Sequence, residues 1–242
     1  MLPSELLDKT ERLTLELSNR CNYSKVHTKC PTSTFTDTKI LPLSAIKSVV
    51  GELRYAGWGE GKSIFFHVFN EPTIDPRLYW LIQYVRERLP GIKPRLVTNG
   101  WYMNEELACE LFDIGLDYME ISGYGRKEMK RLEQLGKHPK VKLVKAFLYG
   151  WMLNPQGRKG WKPCFAPLDD LTIRASGNVG LCCLDYREQV VFGNVKQESL
   201  LSILEREWDR MKGLYDQLTR CERSLQICKL CHRRRKTFKG LK

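Results

Sequence analysis

Apolar and polar positions follow two rhythms along the first 150 residues, and the rhythms take turns. "RLTLELS" (12–18) alternates every second residue, the period of a half-buried strand. "SAIKSVVGELRYAGW" (44–58) repeats at helical spacing, with Ser44 placed to cap it. "SIFFHVF" (63–69) predicts a strand running into the turn "NEP", and "PRLYWLIQYVRERL" (76–89) a helix opened by proline. "PRLVTNG" (94–100) predicts a strand ending at Asn-Gly, and "NEELACELFDIG" (104–115) a helix closed by glycine. "DYMEIS" (117–122), "GRKEMKRLEQLG" (125–136) and "VKLVKAFLY" (141–149) continue as strand, helix and strand. Strands alternating with helices predict parallel pairing, in a partial α/β barrel or an open sheet. Ligands in such folds gather at the carboxyl ends of strands. The loops after Ser18, Phe69, Thr98, Ser122 and Tyr149 are therefore the ones expected to carry chemistry.

Beyond about residue 150 the rhythm changes. "DLTIRASGNVGLCCLD" (170–185) predicts a β-hairpin about the turn "ASGN". "ESLLSILEREWDRMKGLYDQL" (198–218) predicts one long amphipathic helix, followed by the cysteine-rich "RCERSLQICKLCHRRR". Two domains are expected, 1–150 and 151–242. The second has too thin a core to stand alone, so a bound metal would supply stability.

Composition narrows the setting. The chain has 242 residues, 42% of them apolar, and no apolar run long enough to span a bilayer. The N-terminus lacks the basic-then-apolar order of a signal peptide, which predicts a cytoplasmic protein. Nine cysteines in a reducing compartment point to metal binding ahead of disulfides. The net charge of +12 predicts an anionic partner. No interleaved aromatic and basic strand motif is present, which speaks against nucleic acid.

The cysteines fall into two groups. Cys228 and Cys231 form C-x2-C, and Cys164 and Cys182 form a second pair. Four thiolates from two places can close around zinc or a [4Fe–4S] cluster, and spacing alone leaves both open. Cys182 and Cys183 are adjacent in a strand, so only one faces that site. Cys221 is a spare candidate, and Cys109, within a predicted helix, is expected in the core. The other group is "CNYSKVHTKC" (21–30), directly after the first strand, with two cysteines and one histidine.

These stretches resemble a family. "LELSNRCNY", "CPTS" (30–33), "NEPTIDP", "VTNG", "LDYMEISGYG" and "NPQG" (154–157) are similar, in order, to segments of radical S-adenosylmethionine (SAM) enzymes. The pattern Cys164, twelve residues, Gly177, four residues, Cys182 resembles the start of their C-terminal twitch or SPASM domain, and makes Cys182 the ligand. The resemblance implies a partial (β/α)6 barrel of parallel strands with a small hairpin-plus-helix twitch domain. It implies SAM as cofactor, with Glu71 at its amino group, and Asn99, Ser122 and Asn154 as further SAM-binding candidates. It implies an auxiliary [4Fe–4S] cluster on Cys164, Cys182, Cys228 and Cys231, and a second [4Fe–4S] cluster in the loop after the first strand. There the chain departs from the family, whose motif is C-x3-C-x2-C. Lys25 and Thr28 stand at the usual spacing, and keeping the terminal spacing makes His27 the middle ligand beside Cys21 and Cys30. Histidine raises a cluster's potential. Lys29 replaces a common aromatic residue in the same loop.

The implied reaction is hydrogen abstraction from a ribosomally made peptide, including backbone excision as in peptide spliceases. About ten residues precede the first strand, too few for a leader-binding domain, so a separate leader-binding protein and a reductant are the expected partners. The alternatives are an aminocyclitol dehydrogenase or epimerase, a non-catalytic relative, and a zinc-knuckle protein that binds nucleic acid.

Overall fold

The structure, a computed structural model, describes residues 4–27, 30–146 and 163–231. Short helix α1 (Ser4–Lys9) leads into β1 (Arg12–Leu15). Then follow α2 (Leu43–Tyr55), β2 (Ser63–Phe65), α3 (Leu78–Arg88), β3 (Lys93–Thr98), α4 (Glu105–Asp113), β4 (Tyr118–Gly123), α5 (Arg126–Arg131) and β5 (Val141–Lys145). The C-terminal part holds β6 (Asp170–Ile173), β7 (Asn178–Gly180), β8 (Val191–Asn194), α6 (Leu200–Arg206), α7 (Trp208–Thr219) and α8 (Gln226–Leu230). Among the described residues the eight strands form one sheet in the order β5-β4-β3-β2-β1-β6-β7-β8. From β5 to β6 every pairing is parallel; β7 and β8 are antiparallel. The architecture is mixed α/β, as expected.

The local pattern yields five of the six expected parallel strands. The sixth is β6, the first strand of the hairpin, which pairs with β1 over Arg12–Leu15. The hairpin that opens the expected second domain is thus hydrogen-bonded into the same sheet as the first. The turn "ASGN" is where it was predicted, with Gly177 at φ +89°.

Strand β1 corrects the half-buried expectation: all four of its residues are buried. Its polar side chains point inward and are partnered. Thr14 Oγ1 donates to Asp170 Oδ1 at 2.7 Å, and Arg12 lies over the Phe65 ring with Asp170 at 3.5 Å. A strand flanked by parallel neighbours has no free edge, and both its faces are covered.

The helices cover the outside. Helix α2 buries Ala45, Ile46, Val49, Val50 and Leu53, a single stripe at helical spacing. Each of the isoleucine, valine and leucine side chains contributes roughly 1.5–3 kcal/mol on burial. Ser44 is not its cap; the helix starts at Leu43 with Pro42 at the cap position and no side-chain cap. Asn104 caps α4, accepting from Leu107 N at 2.8 Å. The long helix expected over 198–218 is broken at Glu207 into α6 and α7. Helix α6 packs Leu200, Ile203 and Leu204 inward. Around the break, Arg206 and Arg210 each donate to a carbonyl of the β8 strand, Phe192 O and Val191 O, both at 3.1 Å. Among the described residues no helix is long and apolar enough to cross a membrane.

Gly100 follows β3 at φ +74°, and a Cβ there would lie 2.5 Å from Ile121 Cγ2 and 2.9 Å from Leu132 Cδ1. Gly100→Ala is expected to destabilise by on the order of 1–3 kcal/mol, from strain and overpacking. Thermal unfolding would show it as a Tm drop of roughly 2–4 °C per kcal/mol for a chain of this size. An unchanged Tm would contradict it.

Candidate functional site

One cavity of about 620 Å³ opens at the carboxyl ends of the parallel strands. Cys21, His27, Cys30, Glu71, Asn99 and Ser122 all line it. Six of the seven residues assigned from sequence to this end of the sheet therefore meet; the seventh, Asn154, lies outside the described residues.

The loop after β1 is built from short turns. His27 N donates to Tyr23 O at 2.8 Å, and Cys30 N donates to His27 O at 3.0 Å. Tyr124 packs on both Tyr23 and His27, with ring centroids 5.3 Å and 5.5 Å apart. Burial pushes the Cys21 thiol up to about 11 and the Tyr124 phenol up to about 12. It pushes the His27 imidazole the other way, toward the neutral form. His27 Nε2 is buried and has no hydrogen-bond partner. In the tautomer that carries its proton on Nδ1, an unpartnered Nε2 offers its lone pair to a ligand. Lys25, at the family's usual ligand spacing, is exposed.

Glu71 is 2% exposed. Its Oε1 accepts from Thr73 N, Thr73 Oγ1 and Thr98 Oγ1 at 3.1, 2.7 and 2.7 Å. Among the described residues its Oε2 accepts from Asn99 N, at 2.7 Å. Burial raises its pKa against these hydrogen bonds. One oxygen is saturated and the other retains room for a further donor. Asn99, expected at the cofactor, lines the cavity and also bonds within the protein. Its Nδ2 donates to Asn22 Oδ1 at 2.7 Å and lies 3.9 Å from Cys21 Sγ, while its Oδ1 accepts from Trp101 N at 3.0 Å. It ties the first cysteine to the end of β3. The sequence pattern named this residue but not this latch.

A second buried carboxylate, Glu16, braces the segments around the cavity without lining it. It is 1% exposed, pairs with Arg174 at 3.0 Å, and accepts from Phe69 N at 3.1 Å and Ala175 N at 3.0 Å. One carboxylate thus joins β1, the segment before Glu71 and the hairpin turn. Periodicity gave no sign of it, because a glutamate in an alternating strand reads as a solvent-facing position.

The second cysteine group lies in the C-terminal part. Cys228 is buried in the hydrophobic core, with Cys164 and Cys182 packed against that core. Cys164 N donates to Leu218 O at 3.0 Å, and Cys231 N to Cys228 O at 3.3 Å. Burial, then the neighbouring Cys164, pushes the Cys228 thiol up to about 12. No cysteine is in a disulfide. Among the described residues no three His, Cys, Asp or Glu side chains are gathered tightly enough to hold one metal ion. A four-iron cluster gives each cysteine its own iron, so its donors stand farther apart than those of a single ion. All-thiol donors gathered on an apolar core fit such a cluster. Cys183 faces elsewhere and lines the cavity. Cys109 is exposed on α4, contrary to the expectation of a core position, because Ala108 and Leu111 form that helix's buried stripe.

Residues 164–232 match the SPASM family, an iron–sulfur cluster-binding domain. The chain is 23% identical over 204 residues to an S-adenosyl-L-methionine-dependent 2-deoxy-scyllo-inosamine dehydrogenase of Niallia circulans, covering 78% of this chain and 80% of that one. It shares a fold with BtrN crystallised with AdoMet and 2-DOIA, at TM-score 0.74 and 21% identity, over 93% of each chain. It also shares a fold with anSMEcpe bound to AdoMet and the Cp18Cys peptide, at TM-score 0.61 and 13% identity, over 91% of this chain and 87% of that one. The match over residues 164–232 and the fold shared with these chains bear out the resemblance read in the sequence, to radical SAM enzymes with a C-terminal SPASM/twitch iron–sulfur domain.

Proposed function

We propose that the protein is a radical SAM enzyme acting on a polar substrate in the 620 Å³ cavity. The observation that carries this is the meeting of Cys21, His27, Cys30 and Glu71 in that one cavity. Cys21 and Cys30 supply two thiolates to a [4Fe–4S] cluster, and His27 Nε2 supplies the third donor. Glu71 Oε2 accepts from the SAM ammonium, and Ser122 offers a hydroxyl to SAM. Asn154 is proposed as a further SAM contact. Asn99 positions Cys21. Held by these residues, SAM and a reduced cluster would supply the radical chemistry for hydrogen abstraction from carbon. Cys164, Cys182, Cys228 and Cys231 hold an auxiliary [4Fe–4S] cluster that exchanges electrons with the site. A low-potential reductant is required.

We favour a ribosomally made peptide as substrate, presented by a separate leader-binding protein. The net charge of +12 suits an acidic leader, and a peptide-bound neighbour shares the fold. A second reading, oxidation of an aminocyclitol, is supported by the dehydrogenase relative that spans 78% of this chain.

The test is anaerobic reconstitution followed by iron counting and assay of 5′-deoxyadenosine with SAM and dithionite. About eight irons per chain and SAM cleavage are expected from two clusters. About four irons without cleavage would leave the SPASM cluster alone and reject the catalytic reading. Peptide and 2-deoxy-scyllo-inosamine, added separately, decide the substrate by which one raises cleavage. Glu71→Gln is expected to weaken SAM binding by about 10–100-fold, the worth of one charge-assisted hydrogen bond. Calorimetric titration reads this directly, and an unchanged Kd would remove Glu71 from the SAM site.

A further inference from the structure

The cavity does not end at the residues placed around SAM. It continues along the strands toward their amino ends, where Arg12 of β1 and Arg95 of β3 line it. Arg95, Val97 and Asn99 alternate along the cavity side of β3. At roughly 3.3 Å per residue, Arg95 lies about 13 Å along the strand from Asn99. Register sets Arg95 between Phe65 of β2 and Tyr118 of β4, and both rings line the same cavity. Arg12 Cζ is 5.1 Å from the centre of the Phe65 ring, and Arg95 Cζ is 5.6 Å from that of Tyr118. A guanidinium braced on its face by an aromatic ring still presents its N–H groups along its edge.

The charges at this end do not cancel within the cavity. Beyond Glu71, the acidic residue lining it among the described residues is Glu120, and Lys142 Nζ donates to that carboxylate at 2.9 Å. Arg12 faces the buried Asp170 at 3.5 Å. Arg95 is compensated less well. Asp117 stands 3.9 Å away, beyond hydrogen-bond reach, with its side chain 36% exposed. Arg95 Nε is buried and has no hydrogen-bond partner. A buried charged donor left unmade is costly, and an acceptor entering the cavity would complete it. The geometry points to a carboxylate-binding subsite at this end, where Arg95, with the charge of Arg12 beside it, holds a carboxylate of the substrate. This rests on the radical SAM reading above, whose substrate it specifies. The planar guanidinium fork matches a planar carboxylate. Arg12 already faces Asp170, so one guanidinium charge is left to be met, which suits a monoanion. The apolar walls Phe65 and Val97 strengthen an ion pair formed between them. A substrate anchored here extends toward Glu71 and the cysteine loop, where its reacting carbon meets SAM. An acidic side chain or a chain terminus of a peptide fits this arrangement. The amine of 2-deoxy-scyllo-inosamine carries the wrong charge for it.

The test is equilibrium dialysis of the reconstituted full-length protein with SAM, in a buffer free of other carboxylates. The probes are N-acetylglutamate α-methylamide, N-acetylglycine and N-acetylglutamine methylamide. The first offers a side-chain carboxylate, the second a terminal one, and the third is neutral. A carboxylate probe is expected to bind about 10–100-fold tighter than the neutral one, the worth of one charge-assisted hydrogen bond. Which of the two carboxylates binds tells an acidic side chain from a chain terminus. Arg95→Gln is expected to erase the preference. Arg95→Lys keeps the charge without the fork and is expected to recover part of it. The Kd for SAM is expected to stay the same in both variants, because Arg95 lies far along β3 from Asn99. Equal binding of neutral and acidic probes, or a preference that survives Arg95→Gln, overturns the proposal. Should Arg95→Gln fail to fold, Arg95→Lys decides: a weakened preference supports the subsite and an unweakened one overturns it. Displacement of the carboxylate probe by an equal concentration of 2-deoxy-scyllo-inosamine also overturns it. A wild type that neither binds SAM nor forms 5′-deoxyadenosine would instead reject the radical SAM reading, and this substrate assignment with it.

Discussion

Replacing His27 with alanine is expected to lower SAM cleavage by more than about 100-fold, because loss of a direct ligand exceeds the 10–100-fold cost of losing an outer-shell partner. Iron is expected to fall from about eight to about four per chain, with the SPASM cluster retained. His27→Cys is expected to restore the iron and to lower the cluster's potential, since thiolate replaces imidazole. The reason is the donor set. The loop holds two thiols, and His27 Nε2, a buried atom of a residue lining the same cavity, has no hydrogen-bond partner. The turn from His27 O to Cys30 N brings the two side by side in the chain. Electron paramagnetic resonance of protein grown with 15N-histidine gives a direct view. Nitrogen coupling to the reduced cluster is expected in the wild type and absent in His27→Cys. Full iron and full cleavage in His27→Ala would show that another group completes the cluster.

The second large effect is on stability. Glu16→Ala leaves the Arg174 guanidinium buried without its counter-charge, and strips the acceptors of Phe69 N and Ala175 N. Breaking a buried pair from one side costs about 3–5 kcal/mol. At roughly 2–4 °C per kcal/mol, calorimetry should register a large fall in Tm. Removing both partners is expected to cost less than removing Glu16 alone, since no charge is stranded. If Glu16→Ala/Arg174→Met is no more stable than Glu16→Ala, the ion pair is not what holds the hairpin.

The sequence made the strand–helix alternation and the cavity's principal residues legible, for a physical reason. Period and turn chemistry are local, and so are the spacings within each cysteine group. "RLTLELS", "PRLVTNG" and "DYMEIS" each announce a strand; Cys21 and Asn99 follow the first two strands, and Ser122 sits at the carboxyl end of the third. What was not legible depends on partners distant in the chain. Nothing in "DLTI" says that it pairs with β1, about 158 residues earlier in register. Strand β8 was not predicted because its four residues include Gly193, which weakens the strand pattern. Glu16 looked solvent-facing because alternation reports two faces, not what covers them. The break at Glu207 was hidden because α6 and α7 each continue a helical period.

The pairing of β6 with β1 has a consequence for any attempt to cut the molecule in two. A fragment ending at residue 150 would keep β1 to β5 but lose the strand that covers one side of β1. Its four residues, all buried in the whole chain, would become an open edge with unpaired N–H and C=O groups. Such an edge is a template for association with other copies, so the fragment should aggregate instead of reporting on a free-standing barrel. The segment that matches the iron–sulfur domain is therefore also the edge cover of β1, so the two roles cannot be separated by cutting the chain there.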